Sequence, residues 1–351
     1  MIIIGKIFLK GECNMKKYLL FFFMIFLTSA MFMPVNVAAV LNMVIKKDEE
    51  VTLEPGIKYT NVRVRAGGTL VVQPGSTADH VISTGIVQIE GGKVTMLSNE
   101  CSGEVSIEKG GQVYELNDKS TGTVIVDDGW VAALNNRGNG KINILGKGKV
   151  NKLDNHANGE VIVNGETNAM SIIELNNRGD GAITVSGGTV GSLNNTSRGE
   201  VNVFQQGKVN RLDNYASGRV AIDGETEAIM VTTLDNRNNG LITVSGGTVG
   251  LLNNAGNGGI DILQQGKVNR LDNYTNGKVT VDGETDVIAV ATLNNRSNGA
   301  ITVSSGIIEL LINEGNGEIN IEKLGEVSKL NSRDQKTVAT EGIGIEKGMK
   351  D

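Results

Sequence analysis

Proline is nearly missing from this sequence, with 3 in 351 residues, and the chain holds only 2 Cys, 2 His and 1 Trp. So few prolines remove the usual signature of a Pro-rich disordered linker. Aromatic residues make up 4% of the chain, which excludes the ring-filled core of a typical large mixed domain. Two cysteines cannot form a disulfide framework. Two histidines, His80 and His156, leave a Ser-His nucleophile arrangement without candidates. Positive charge is also short. The net charge is −6, and removing residues 1 to 39, with Lys6, Lys10, Lys16, Lys17 and Glu12, takes it to −9, a balance that disfavours binding to a phosphate backbone.

The first 39 residues differ from the rest. Met15, Lys16 and Lys17 precede an apolar run from Tyr18 to Met33, followed by Val37, Ala38 and Ala39. A charged start, an apolar middle and small residues at a cleavage point describe a secretory signal, and the run falls short of the roughly 20 residues that cross a bilayer. Initiation at Met15 is expected, since Lys10, Gly11 and Glu12 are what a translated purine-rich ribosome-binding site would encode. Cys13 leaves with this leader, so Cys101 stands alone and is expected to be a buried small hydrophobe.

What the sequence has in abundance is glycine, 47 residues, and regularly spaced Val, Ile and Leu. Leu-Asn-Asn or Leu-Asp-Asn recurs, and the coils are numbered by that Leu: Leu97, Leu116, Leu134, Leu153, Leu175, Leu193, Leu212, Leu234, Leu252, Leu271, Leu293, Leu311 and Leu330. The spacings are 18, 19 and 22 residues, and from Leu134 onward three consecutive steps span 59, so a three-coil block has been copied. Residues 200 to 258 and 259 to 317 agree at 36 of 59 positions. In nearly every coil a Val or Ile lies three residues before the Leu. A Gly lies six after the first twelve of them, and Lys336 breaks that column. An alternating β-branched pair follows, as in Gly140, Ile142 and Ile144.

Apolar residues at i and i+2 with a polar one between them describe a strand with one buried face. A 19-residue coil cannot bury that face alone, but stacked coils bury like on like. The expected fold is therefore all-β, a right-handed parallel β-helix of about 14 coils over residues 67–331, with two or three short strands per coil joined by corners where Gly supplies positive φ. Residues 40–66 are expected to cap the first coil, and the polar segment 332–351 to form the other cap or a tail. Leucine-rich repeats are the rival solenoid, disfavoured by β-branched residues where a helix would be needed. Two residues after the Leu stands an Asn in eleven of thirteen coils, with Asp118 and Ser332 the exceptions. A side-chain amide donates and accepts, so this column predicts an inward ladder.

The segment Gly67 to Val94, with Gly67-Gly68-Thr69-Leu70, Gly75-Ser76-Thr77-Ala78 and Gly91-Gly92, resembles the Gly-Gly-Thr-Ala repeats of AIDA-type adhesin passengers. The 19-residue coils also look like those of filamentous-haemagglutinin-type exported adhesins. These resemblances imply a secreted or cell-surface bacterial β-helix and no particular ligand. No run of alternating strands long enough for a translocating barrel follows Leu330, so self-export is not expected.

Candidate sites are few, and no catalytic, cofactor-binding or metal-binding residue is assigned. Gly165-Glu166-Thr167, Gly224-Glu225-Thr226 and Gly283-Glu284-Thr285 form small loops in the 22-residue coils, two of them preceded by Asp223 and Asp282. They supply too few oxygens for Ca²⁺ and stand roughly 14 Å apart, so they read as solvated turns. Asp154, Asp213 and Asp272, with His156, Tyr215 and Tyr274 two positions on, make a sparse polar column that reads as surface decoration. Trp130 is a lone ring, and Thr184, Thr243, Thr280 and Thr302 point outward without forming an ice-binding lattice. Many β-helices cleave acidic polysaccharides, which makes a lyase or hydrolase the alternative to a passive rod. Such enzymes need irregular loops and one clustered cleft, and duplication of a uniform block opposes that. The expected partners are an extracellular glycan, matrix or cell-surface protein, bound weakly and repeatedly, with no nucleic acid and no membrane span after leader removal.

Overall fold

The computed structural model describes residues 39–224 and 229–333, together with the backbone of 338–340 and 345–347. Every element in it is a β-strand: 31 strands, all paired parallel, wind into a solenoid of about 15 turns. Each turn contributes a short strand such as β10 (Thr123–Asp127) and a longer one such as β11 (Trp130–Asn136). The short strands stack into one ladder, called sheet A here, and the long strands into another, sheet B. Near the far end the two strands of a turn fuse, in β28 (Ile301–Asn313) and β29 (Ile319–Ser332).

Like lies over like. In sheet A, Val124 and Val126 pair with Ile142 and Ile144 of β12 (Lys141–Gly146). In sheet B, Leu134 pairs with Leu116 on one side and Leu153 on the other, and the same column runs on to Leu330. From Leu97 to Leu311 these leucines are fully buried, which identifies the core as the space between the two ladders. The spacing of Val131 and Leu134, three residues rather than two, has a structural cause. Residue Ala132 drops out of the ladder, as do Asn151 and Ile173 in the neighbouring turns, so sheet B bends at one stacked corner and inward alternation changes phase there.

The 22-residue turns absorb their extra length without disturbing the stacked Val, Leu and Asn columns. In two of them about four residues leave as the loops at Gly165-Glu166-Thr167 and Gly283-Glu284-Thr285, and in all three a bulge adds one inward residue, Ser171, Met230 or Ala289, each buried. The chain on either side then resumes register.

Two expectations are modified. Strands β1 (Ala39–Ile45), β2 (Glu50–Leu53) and β3 (Lys58–Val64) lie in the segment expected as a cap, yet β2 pairs with β4 (Thr69–Val72) and β3 with β5 (Thr77–Ser83) in ordinary coil register, so the solenoid extends through it. Strands β30 (Val338–Thr340) and β31 (Ile345–Lys347), within 332–351, likewise pair with β29. Positive φ is found at corner glycines such as Gly146, Gly188 and Gly247, and the second change concerns the glycines six residues after each Leu. Their φ is not positive; a Cβ at Gly240 would instead overlap Asn214 Nδ2 and the Gly218 carbonyl oxygen. Close approach of one turn to the next, rather than backbone handedness, requires Gly there.

Candidate interaction face

The Asn column is the polar spine of the interior. Ten residues from Asn136 to Asn313 are buried, and each of the first nine donates from Nδ2 to Oδ1 of the next at 2.8–3.0 Å. From Asn155 onward the second Nδ2 hydrogen goes to the carbonyl of the Gly four residues on, at 2.9–3.3 Å. Both donors are used, and the ladder points one way. Asp118 interrupts it. Its Oδ1 accepts from Asn99, from the Ser120 hydroxyl and from the Ser120 N–H, while its Oδ2 is buried without a partner. Burial pushes the Asp118 carboxyl above its ordinary value, against the opposing effect of those hydrogen bonds.

Because Leu and Asn two apart both point inward, the residue between them points outward, and so do the residues flanking the pair. This places three mostly polar columns side by side on sheet B. At one station Arg211 grips Asp213 with Nε at 2.7 Å and Nη2 at 2.9 Å and also reaches Asp235 at 2.6 Å. The Asp213 carboxylate accordingly holds the Arg211 guanidinium above its ordinary value. Arg237 lies 5.0 Å from the centre of the Tyr215 ring, over its face. One block later Arg270 pairs with Asp272 at 2.9 Å and Arg296 covers Tyr274 at 5.1 Å. In the first block Lys152 is 3.5 Å from Asp154 and 3.9 Å from Glu174. The column of Asp154, Asp213 and Asp272 is thus held in ion pairs, with Asp213 and Asp272 almost wholly covered. The arginines were not singled out from the sequence, although their 59-residue spacing at 178, 237 and 296 matches that of 156, 215 and 274.

The other candidate residues fall elsewhere. Glu166 and Thr167 are exposed on their loop, where Thr167 bonds Gln206 at 2.5 Å and Glu166 is 3.9 Å from Lys147; Glu284 accepts from Gln265 at 2.9 Å. Glu225 and Thr226 lie outside the described residues. Trp130 is not a lone ring: it meets Tyr114 edge to face at 5.4 Å and donates to Asn151 at 3.2 Å. Cys101 is exposed, contrary to expectation, because it lies just past its inward pair where the chain turns away with φ 57°. Thr184, Thr280 and Thr302 are half-buried on the outer side of sheet A, and Thr243 is nearly covered. Thr243 borders a shallow concavity of about 550 Å³ formed around the small Ala221, with Asn202, Arg219 and Asp223 at its margins. His80 and His156 are both exposed and four turns apart. Among the described residues there is no group of three or more His, Cys, Asp or Glu placed to hold a metal ion, and no helix long and apolar enough to cross a membrane.

The chain is a parallel β-solenoid. No protein-family model, no curated protein and no solved structure matches its sequence or fold at the level sought.

Proposed function

We propose that this solenoid is a secreted or cell-surface rod of the bacterial adhesin-passenger kind, structural or adhesive rather than catalytic. It works through repeated weak contacts with a glycan, matrix or cell-surface protein. The observation that carries the reading is the recurrence of outward chemistry at block spacing: Arg211, Asp213, Tyr215 and Arg237 reappear as Arg270, Asp272, Tyr274 and Arg296 with the same ion pair and the same ring contact. Copies of one surface motif on a stiff axis multiply a weak affinity through effective concentration. The leader and the negative net charge fit an exported protein that does not engage nucleic acid.

Deletion of residues 200 to 258 tests it, since residue 259 then resumes at the equivalent point of the block. The shortened rod should bind cells or matrix in graded fashion, weaker than the full chain but not silent. An all-or-none loss would point to a single site. Turnover of pectate, alginate or hyaluronan would overturn the non-catalytic reading.

A further inference from the structure

We propose that two slots on sheet B, one between Arg178 and Tyr215 and one between Arg237 and Tyr274, each take one pyranose ring of an extended glycan lying along the rod. The inference rests on the adhesive reading above and names its ligand class and contact points.

The six residues that build the slots belong to one stacked column. Arg178, Thr196, Tyr215, Arg237, Ala255 and Tyr274 each donate their backbone N–H to the carbonyl of the ladder Asn one turn earlier, at 2.7–2.9 Å. Successive members are therefore one strand spacing apart, about 4.8 Å. Arg237 comes from the turn after Tyr215 and lies over its face, so the ring normal runs along the rod. The opposite face of Tyr215 looks back along the column toward Thr196. Tyr274, covered by Arg296 in the same way, looks back toward Ala255. Thr196 and Ala255 are short and exposed, and Tyr215 and Tyr274 are 41% and 42% exposed.

Each slot thus has an aromatic wall, an exposed arginine two turns away in the same column, and a low floor; in the second slot the Arg237 guanidinium lies against Tyr215 and within 3.5–3.6 Å of Asp213 and Asp235. The walls stand about 9–10 Å apart. Two van der Waals separations of roughly 3.5–4.0 Å leave space for a single ring, with slack for the thickness of a sugar chair. The chemistry of the walls matches that occupant. A tyrosine face accepts the apolar C–H side of a pyranose, and a guanidinium donates to hydroxyl or carboxylate oxygens on its edge. Bracing of each ring from behind by Arg237 or Arg296 fixes its orientation before binding, which lowers the ordering cost. The slots repeat every three turns, about 14 Å, a spacing that an extended glycan can bridge and a monosaccharide cannot. Neither end of the column repeats the arrangement. Arg137 directly precedes His156 with no short residue between them, and past Arg296 the column continues with Glu314 and Arg333 and carries no ring among the described residues.

The test uses the full chain and hexamers of glucose, N-acetylglucosamine and galacturonic acid as probes, with affinity read by calorimetry and folding by thermal melting. Ala255→Arg fills one slot and Thr196→Arg the other, both at exposed positions. We expect at least one hexamer to bind, a three- to tenfold loss from either substitution, a larger loss from the pair, and melting within a degree of the original. Tyr215→Ala and Tyr274→Ala should reproduce these losses. Two results overturn the slots: hexamer binding that survives the double substitution, or no binding of any hexamer to the unmodified chain. The wider adhesive reading is decided separately, by whether the unmodified rod still binds cells or matrix and whether deletion of residues 200 to 258 weakens that binding.

Discussion

The amide column behaves differently in its two halves. From Asn136 to Asn313 every rung is an amide, and each one from Asn155 to Asn295 accepts from the turn before and donates to the turn after, so the chain of bonds has no interior end. Between Asn99 and Asn136 the same position is Asp118, which accepts as an amide would but has no N–H to pass on. Asn136 therefore takes its bond from the Gly138 N–H instead, and one carboxylate oxygen is left buried and alone. Position and burial are the same in both halves; a single N–H separates a ladder that propagates from one that stops.

That contrast can be broken most strongly in the regular half. Asn214→Leu would orphan the Asn195 amide, the Asn236 carbonyl oxygen and the Gly218 carbonyl, at about 1–3 kcal/mol each, so it should produce the largest drop in melting temperature. Gly240→Ala follows, because its Cβ meets the ladder amide and the backbone of the turn below; overpacking of this kind costs about 1–3 kcal/mol. Asp118→Asn should act in the opposite direction, supplying the missing donor and raising stability at neutral pH.

The pH dependence at Asp118 sharpens the same point. Burial raises its folded value above the ordinary carboxyl value of about 3.9, so the folded protein holds the proton after the unfolded chain has lost it. The contribution to stability is complete below that ordinary value, declines as pH rises toward the folded value, and is flat beyond. The advantage of Asp118→Asn over the original chain, measured by thermal melts across pH 4 to 7, should accordingly grow with pH by about 1.4 kcal/mol for each unit of the rise. The smallest effect belongs outside the ladder: Asn257→Ala, at an exposed position, should change stability by no more than about 0.5 kcal/mol.

Much of this architecture is legible in the residues because a solenoid makes sequence spacing equal to spatial stacking. Leu134 lies over Leu153 for the same reason that the two are 19 residues apart. The Asn ladder follows from the same periodicity together with the donor and acceptor count of an amide. Features that depend on neighbours across turns were less visible. Which arginine covers Tyr215 is set by side-chain reach along the axis, and the partner of Trp130 comes from the preceding turn, 16 positions earlier in sequence. At Cys101 residue type favours burial, whereas its place at a turn dictates exposure. The glycine column was seen, but its cause was not, since crowding by the adjacent carbonyl leaves no mark on a single coil.

The central claim is that buried amides bonded turn over turn form the spine of the rod. Side-chain amide exchange of the ¹⁵N-labelled protein in D₂O, followed by NMR, tests it most directly. The Nδ2 protons of Asn155 through Asn295 should persist long after those of exposed Asn257 have vanished. Exchange of all asparagine side chains at the rate of Asn257 would contradict the claim.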